Sequence, residues 1–222
     1  MRIGIIGAGR IGGGLAEQLA RRGHEVLLSF SRDTQRLEEL AQRLGEGAQV
    51  GSVAEAARFG PVVVLSVPWA SVDDALEAAG DLSGQIVIDT TNQFGAGGVV
   101  DLGGHTAARH NAGRMPGARL VKSFNTLTSG FQAEASLRTD HRVAQFLTGD
   151  DAEAKEVVSG LIRDAGFEPC DLGGLDDAAP MEAPRRPGGV YGEEYRLEDA
   201  LAVREALAAG QPIPPTPQYD AD

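Results

Sequence analysis

Residues 1–22 read MRIGIIGAGRIGGGLAEQLARR, and the order of residue types in this stretch decides the fold. Arg2–Gly7 is a short apolar run of the length of a buried strand. It runs into Gly7-Ala8-Gly9-Arg10-Ile11-Gly12, with glycines at the first, third and sixth positions. From Ile11 to Arg22 the pattern turns helical: Leu15, Leu19 and Ala20 share one face, while Glu17, Gln18, Arg21 and Arg22 share the other. A strand, a glycine turn and a helix N-terminus in succession form an anion cradle. Gly7 allows the tight turn, Gly9 admits a pyrophosphate close to the backbone, and Gly12 lets helix and strand pack closely.

The same rhythm continues along the chain. Buried parallel strands are expected at Arg2–Gly7, Glu25–Ser29, Val62–Val67, Gln85–Asp89, Arg119–Phe124 and Val143–Gly149; Gln49–Gly51 reads as a short strand and Phe167–Leu172 as a late one. Helices are expected at Ile11–Arg22, Thr34–Leu44, Ser71–Ala79 and Ala152–Ala165. Such alternation implies an α/β fold, a doubly wound and mainly parallel Rossmann sheet with helices on both faces. After about Gly173 the sequence turns Gly- and Pro-rich, with one helix near Leu197–Ala209 and an extended tail, QPIPPTPQYDAD. The expected organisation is therefore a dinucleotide-binding domain over 1–175 and a short C-terminal extension over 176–222 packed on it.

At 222 residues, with 42% hydrophobic and 23% charged residues, the chain can bury a full core. No apolar run approaches the roughly 20 residues that span a bilayer, and the start does not read as a signal peptide. A cytoplasmic protein with no membrane association is expected. The net charge of −12 disfavours nucleic acid as a partner. Cys170 is the single cysteine, so no disulfide can form within the chain and no thiolate metal cluster is expected.

Which dinucleotide the turn would hold is read at the end of the second strand. An NAD-binding turn usually carries an acid there for the ribose hydroxyls. Here the stretch is Leu28-Ser29-Phe30-Ser31-Arg32, with Arg36 close behind on the next helix. Ser31, Arg32 and Arg36 offer a hydroxyl and forked cations suited to a 2′-phosphate. Asp33 reads as the cap of the helix starting at Thr34. NADP(H) is the expected cofactor.

Open α/β sheets bind ligands at the carboxyl ends of their strands. Ser66-Val67-Pro68-Trp69, Asp89-Thr90-Thr91-Asn92 and Ser123-Phe124-Asn125-Thr126 all end strands at that edge. Val67, Pro68, Asn92 and Asn125 suit a flat nicotinamide ring held between apolar walls and amides. Trp69 reads equally well as helix packing or ring contact. No catalytic side chain is expected, because hydride transfer between two carriers needs orientation and exclusion of water. No metal ligands are expected either: His24, His105, His110 and His141 are read as structural or solvent-facing.

Taken together, GIIGAGRIGGGLAEQLARRGHEV, Ser31-Arg32, VPW, DTTN, VKSFNT and FLTGDD…AGFEP resemble the NADPH-dependent coenzyme F-420 (deazaflavin) reductases and related Rossmann NADP oxidoreductases over about residues 1–175. The resemblance implies that Gly7, Gly9, Arg10, Ile11, Gly12, Ser31, Arg32 and Arg36 hold NADP. It further implies that Val67, Pro68, Asn92 and Asn125 line the nicotinamide and that a deazaflavin, coenzyme F-420, is the second substrate. Gln93 stands where many relatives have proline, and the C-terminal stretch differs from the best-known members. Glu182–Gly192, with Arg185, Arg186 and Tyr191, reads as a cover gripping an anionic acceptor or as a surface loop or subunit contact. The leading expectation is hydride transfer between NADP(H) and a small-molecule acceptor, with a homodimer left open. The alternatives are a reductase of flavin, ferric chelate or another small acceptor, and a non-catalytic NADP-binding module.

Overall fold

The computed structural model describes residues 1–30 and 34–219. In chain order the elements are β1 (Arg2–Ile6), α1 (Arg10–Ala20), β2 (Glu25–Ser29), α2 (Thr34–Leu44), β3 (Ala48–Val50), α3 (Val53–Arg58), β4 (Val62–Leu65), α4 (Val72–Ala79), β5 (Ile86–Asp89), β6 (Phe94–Gly95), β7 (Gly98–Val99), α5 (Ala107–Arg114), β8 (Arg119–Ser123), α6 (Ser129–Ala135), β9 (Ala144–Gly149), α7 (Ala152–Asp164), β10 (Glu168–Asp171) and α8 (Leu197–Ala208). Two 3-10 segments, Trp69–Ser71 and Leu175–Met181, complete the regular structure.

Eight strands form one sheet in the order β10-β9-β8-β5-β4-β1-β2-β3. Read from β3, six of them follow the doubly wound order 3-2-1-4-5-6, all parallel. The winding reverses between β1 and β4, which places the switch-point crevice above Gly7 and Ser66.

Both faces of the sheet are covered, which explains why its strands are apolar throughout rather than alternating. In β4, Val62 and Val64 pack into the core beneath α1, α2, α6 and α7, while Val63 and Leu65 pack into the one beneath α3, α4, α5 and α8. All four are buried. Each such side chain contributes about 1.5–3 kcal/mol on burial. The C-terminal extension joins the second core through Met181, Val190, Tyr195, Ala200 and Val203.

Two strands, β9 and β10, run against the other six, β9 contrary to expectation. β9 is fully buried, as its composition requires, but it pairs antiparallel with β8, and β10 pairs parallel with β9. The cause lies in the connection. The stretch between β8 and β9, which holds α6, does not cross to the opposite edge of the sheet, so β9 enters from the edge at which β8 ends. Burial on both faces looks the same in either direction, so composition alone could not reveal the reversal.

Candidate functional site

The glycine turn is built as its sequence requires. The Gly7 and Ala8 amides donate to the Ser29 carbonyl at 3.0 and 3.3 Å, tying the turn between β1 and α1 to the end of β2. Gly7 has φ +101°, and a Cβ there would collide with the Ser66 carbonyl oxygen. A Cβ at Gly12 would strike the Gly7 carbonyl oxygen and the Ser66 side chain, so this glycine sets how closely α1 approaches the strands. Gly9 differs: a Cβ there would meet nothing within 4 Å. It is the N-cap of α1, faces open space and leaves room for a ligand against the backbone. α1 has no side-chain cap and no acid in its first turn, so the amides of its first turn, Arg10, Ile11 and Gly12 among them, are left for an outside acceptor. Arg10 is exposed and Ile11 half-buried beside them.

Ser31 and Arg32 lie outside the described residues, as does Asp33. Arg36 is exposed in the first turn of α2.

Val67 and Pro68 follow β4 at the same edge, the first buried and the second exposed. Trp69 turns into the fold. Its ring lies 5.6 Å from that of His110, and the Arg114 guanidinium sits 4.9 Å above it. Burial and the neighbouring Arg114 both lower the His110 pKa.

Asn92 and Asn125 meet across the ends of β5 and β8. Asn92 Nδ2 donates to the Asn125 carbonyl at 2.9 Å, and Asn125 Nδ2 donates to Asn92 Oδ1 at 3.2 Å. Asn125 is 5% exposed, and its Oδ1 is buried with no partner among the described residues. Beneath this pair lies an ion pair that sequence reasoning missed. Lys122 and Asp89, both fully buried, meet at 3.0 Å. Lys122 also donates to the Thr91 carbonyl. Asp89 accepts from Asn111 Nδ2 at 2.9 Å and from the Thr91 amide at 2.8 Å. The network fixes the Asp89–Asn92 turn from below. Its one signal in the sequence was a lysine inside an otherwise apolar strand, VKSF.

The C-terminal extension is stapled across this edge. Asn125 Nδ2 donates to the Met181 carbonyl at 2.7 Å, the Ala183 amide donates to Asn92 Oδ1 at 3.2 Å, and Gln93 Nε2 donates to the Ala183 carbonyl at 2.9 Å. Between these ties, the buried Glu182 carboxylate accepts from the Ala107 and Ala108 amides at 2.7 and 2.8 Å, closing the N-terminus of α5. Gln93 thus has a partner that only the extension supplies. Arg109 bridges Asp150 and Asp176 at 2.8 Å each; their hydrogen bonds raise its pKa, and Arg109 helps keep both carboxyl pKa values low. Farther along, Arg185 pairs with Glu193, whereas Arg186 makes no ion pair among the described residues and lines a cavity of about 360 Å³ with Glu182 and His105.

Residues 2–93, from β1 to just past Asn92, match the family described as NADP oxidoreductase, coenzyme F420-dependent. These residues place the chain among the NADP-dependent oxidoreductases. A hypothetical protein of Sinorhizobium meliloti is 30% identical to this oxidoreductase, with a TM-score of 0.79 over 88% of this chain and 96% of its own. The fold is also that of an Arthrobacter sp. FB24 protein provisionally named an F420-dependent NADP-reductase, at 23% identity and TM-score 0.71 over 96% of each chain. Metalloreductase STEAP3 of Rattus norvegicus is 30% identical over 182 residues, 82% of this chain and 36% of that protein. The oxidoreductase therefore spans about a third of the length of that curated relative. No helix among its described residues is long and apolar enough to cross a membrane.

Proposed function

We propose that this NADP oxidoreductase moves hydride between NADP(H) and a flavin-like carrier, the deazaflavin coenzyme F-420. The observation that carries the reading is the open Gly9 turn with the uncapped start of α1, set on the same sheet edge as Val67, Pro68 and the Asn92–Asn125 pair. A pyrophosphate fits where a Gly9 side chain would stand, and the unpaired Asn125 Oδ1 suits a carboxamide N–H.

In this reading Gly7, Gly9, Arg10, Ile11 and Gly12 hold the pyrophosphate, and Ser31, Arg32 and Arg36 hold the 2′-phosphate. Val67, Pro68, Asn92 and Asn125 then orient the nicotinamide. Residues 1–175 are the NADP-binding domain, and 176–222 pack on it as an extension. The reduced nicotinamide supplies a hydride, two electrons with one hydrogen nucleus, to the acceptor ring, which takes a further proton from water. The residues named here bind, align and exclude solvent, and none of them gives or takes that proton.

A second reading keeps NADPH and reduces flavin or a ferric chelate. The metalloreductase likeness over 82% of the chain favours it. Anaerobic stopped-flow with NADPH or NADH and a panel of F-420, riboflavin, FMN and ferric citrate separates the two. Rapid F-420 bleaching with NADPH is expected. Faster flavin or ferric reduction supports the second reading, preference for NADH defeats the NADP assignment, and no turnover with any acceptor overturns the enzyme reading.

A further inference from the structure

Two aromatic rings flank the asparagine pair, and the family match ends before both of them. Phe94 opens the short β6–β7 hairpin two residues after Asn92, and its amide donates to the Asn92 carbonyl at 2.7 Å. It is 49% exposed, although it is a large apolar side chain at the mouth of a polar site. The hairpin rests on Trp69–Ser71, the segment that follows Val67 and Pro68. From the opposite side, the Gly192 amide donates to the Thr126 carbonyl at 2.9 Å, which anchors the neighbouring Tyr191 next to Asn125. The two rings meet with centroids 6.5 Å apart and planes tilted by 56°.

The pair stands at the edge where the ring of a hydride acceptor must arrive. An aromatic corner left open to solvent, with one ring tied to each asparagine turn, has the shape and chemistry to receive a flat heteroaromatic ring. Arg186, which makes no ion pair among the described residues, lies on the same loop as Tyr191 and suits the anionic tail of such a ligand.

We infer that Phe94 and Tyr191 form the docking platform for the planar ring of the acceptor and so set its affinity. The inference rests on ring-to-ring hydride transfer as the activity, and it names side chains outside those expected to hold NADP.

The test uses the full chain saturated with NADP⁺ and two probes, riboflavin and coenzyme F-420, titrated by fluorescence. Phe94→Ala and Tyr191→Leu should each weaken binding of both probes about 2–10-fold, the value of about 0.5–1.5 kcal/mol for an aromatic contact. Tyr191→Phe should keep most of the affinity, and NADPH affinity by calorimetry should stay unchanged in all variants. Unchanged probe affinity in both truncations overturns the platform, as does an equal loss of NADPH binding or a wild-type protein that binds neither probe. The two readings fail separately. Wild-type binding of a probe that the variants weaken, without hydride transfer, retains the platform and removes the reductase; hydride transfer that neither truncation alters does the reverse.

Discussion

At Gly9 the absence of a side chain is the feature that matters. Any side chain there would enter open space, so Gly9→Val should fold as the wild type does while its two methyl groups fill the pyrophosphate position. Calorimetry should then show NADPH affinity lost with the melting temperature within a few degrees of wild type; retained NADPH binding would remove the turn from the site. The opposite logic governs Lys122. It neutralises Asp89 where neither group reaches water, so Lys122→Met leaves a buried carboxylate without its charge partner. Breaking a buried pair from one side costs about 3–5 kcal/mol. Urea unfolding should show that loss, and Lys122→Met with Asp89→Asn should recover much of it. If the single variant costs no more than the double, the ion pair does not brace the Asn92 turn.

Among the elements, α7 offers a titration that can be followed. Its N-cap Asp151 accepts from the Ala154 amide at 2.8 Å and from Arg119 at 2.7 and 2.8 Å. The Arg119 hydrogen bonds, more than the helix amide, lower its pKa from 3.8 to about 2. A depressed carboxyl pKa contributes stability that is present above the unfolded value of 3.8 and is lost as pH falls toward 2. Asp151→Asn should therefore lower the melting temperature at pH 6, and the gap from wild type should close between pH 4 and pH 2. A gap independent of pH would assign the effect to the cap geometry alone. The same scale shows what the sequence could and could not reveal. The glycine turn, the doubly wound class and the ends of β4, β5 and β8 follow from local patterns, since each strand is an apolar run closed by a small polar group. The direction of β9 depends on the path of the connection that follows β8, and α3 was signalled only by Ser52 and Glu55, which form a capping box. The stapling of Met181–Ala183 to Asn92, Gln93 and Asn125 joins residues about 56–91 positions apart, and no local pattern encodes such contacts.

For the whole molecule, charge sets the problem. With 20 basic and 32 acidic residues, the protein repels the anionic carriers it is proposed to bind, so cations at the site mouth must act locally. Arg185 is already matched by Glu193, and reversing it would place two acids together and confuse the result. Arg186 is the cleaner probe, because among the described residues its guanidinium makes no ion pair and donates to the Ala179 carbonyl at 3.5 Å. Arg186→Glu should raise the Michaelis constant for coenzyme F-420 about fivefold at low salt, equivalent to about 1 kcal/mol for reversing one exposed charge. Riboflavin carries no charge, so its constant should not move, and NADPH affinity should hold. Salt should narrow the difference in the F-420 constant between variant and wild type, since screening at about 0.15 M shortens the reach of an exposed charge to about 8 Å. Paired titrations at low and moderate ionic strength read all of these effects. Equal responses from the charged and neutral acceptors would remove Arg186 from the acceptor site, leaving Phe94 and Tyr191 to hold the ring without an electrostatic grip on its tail.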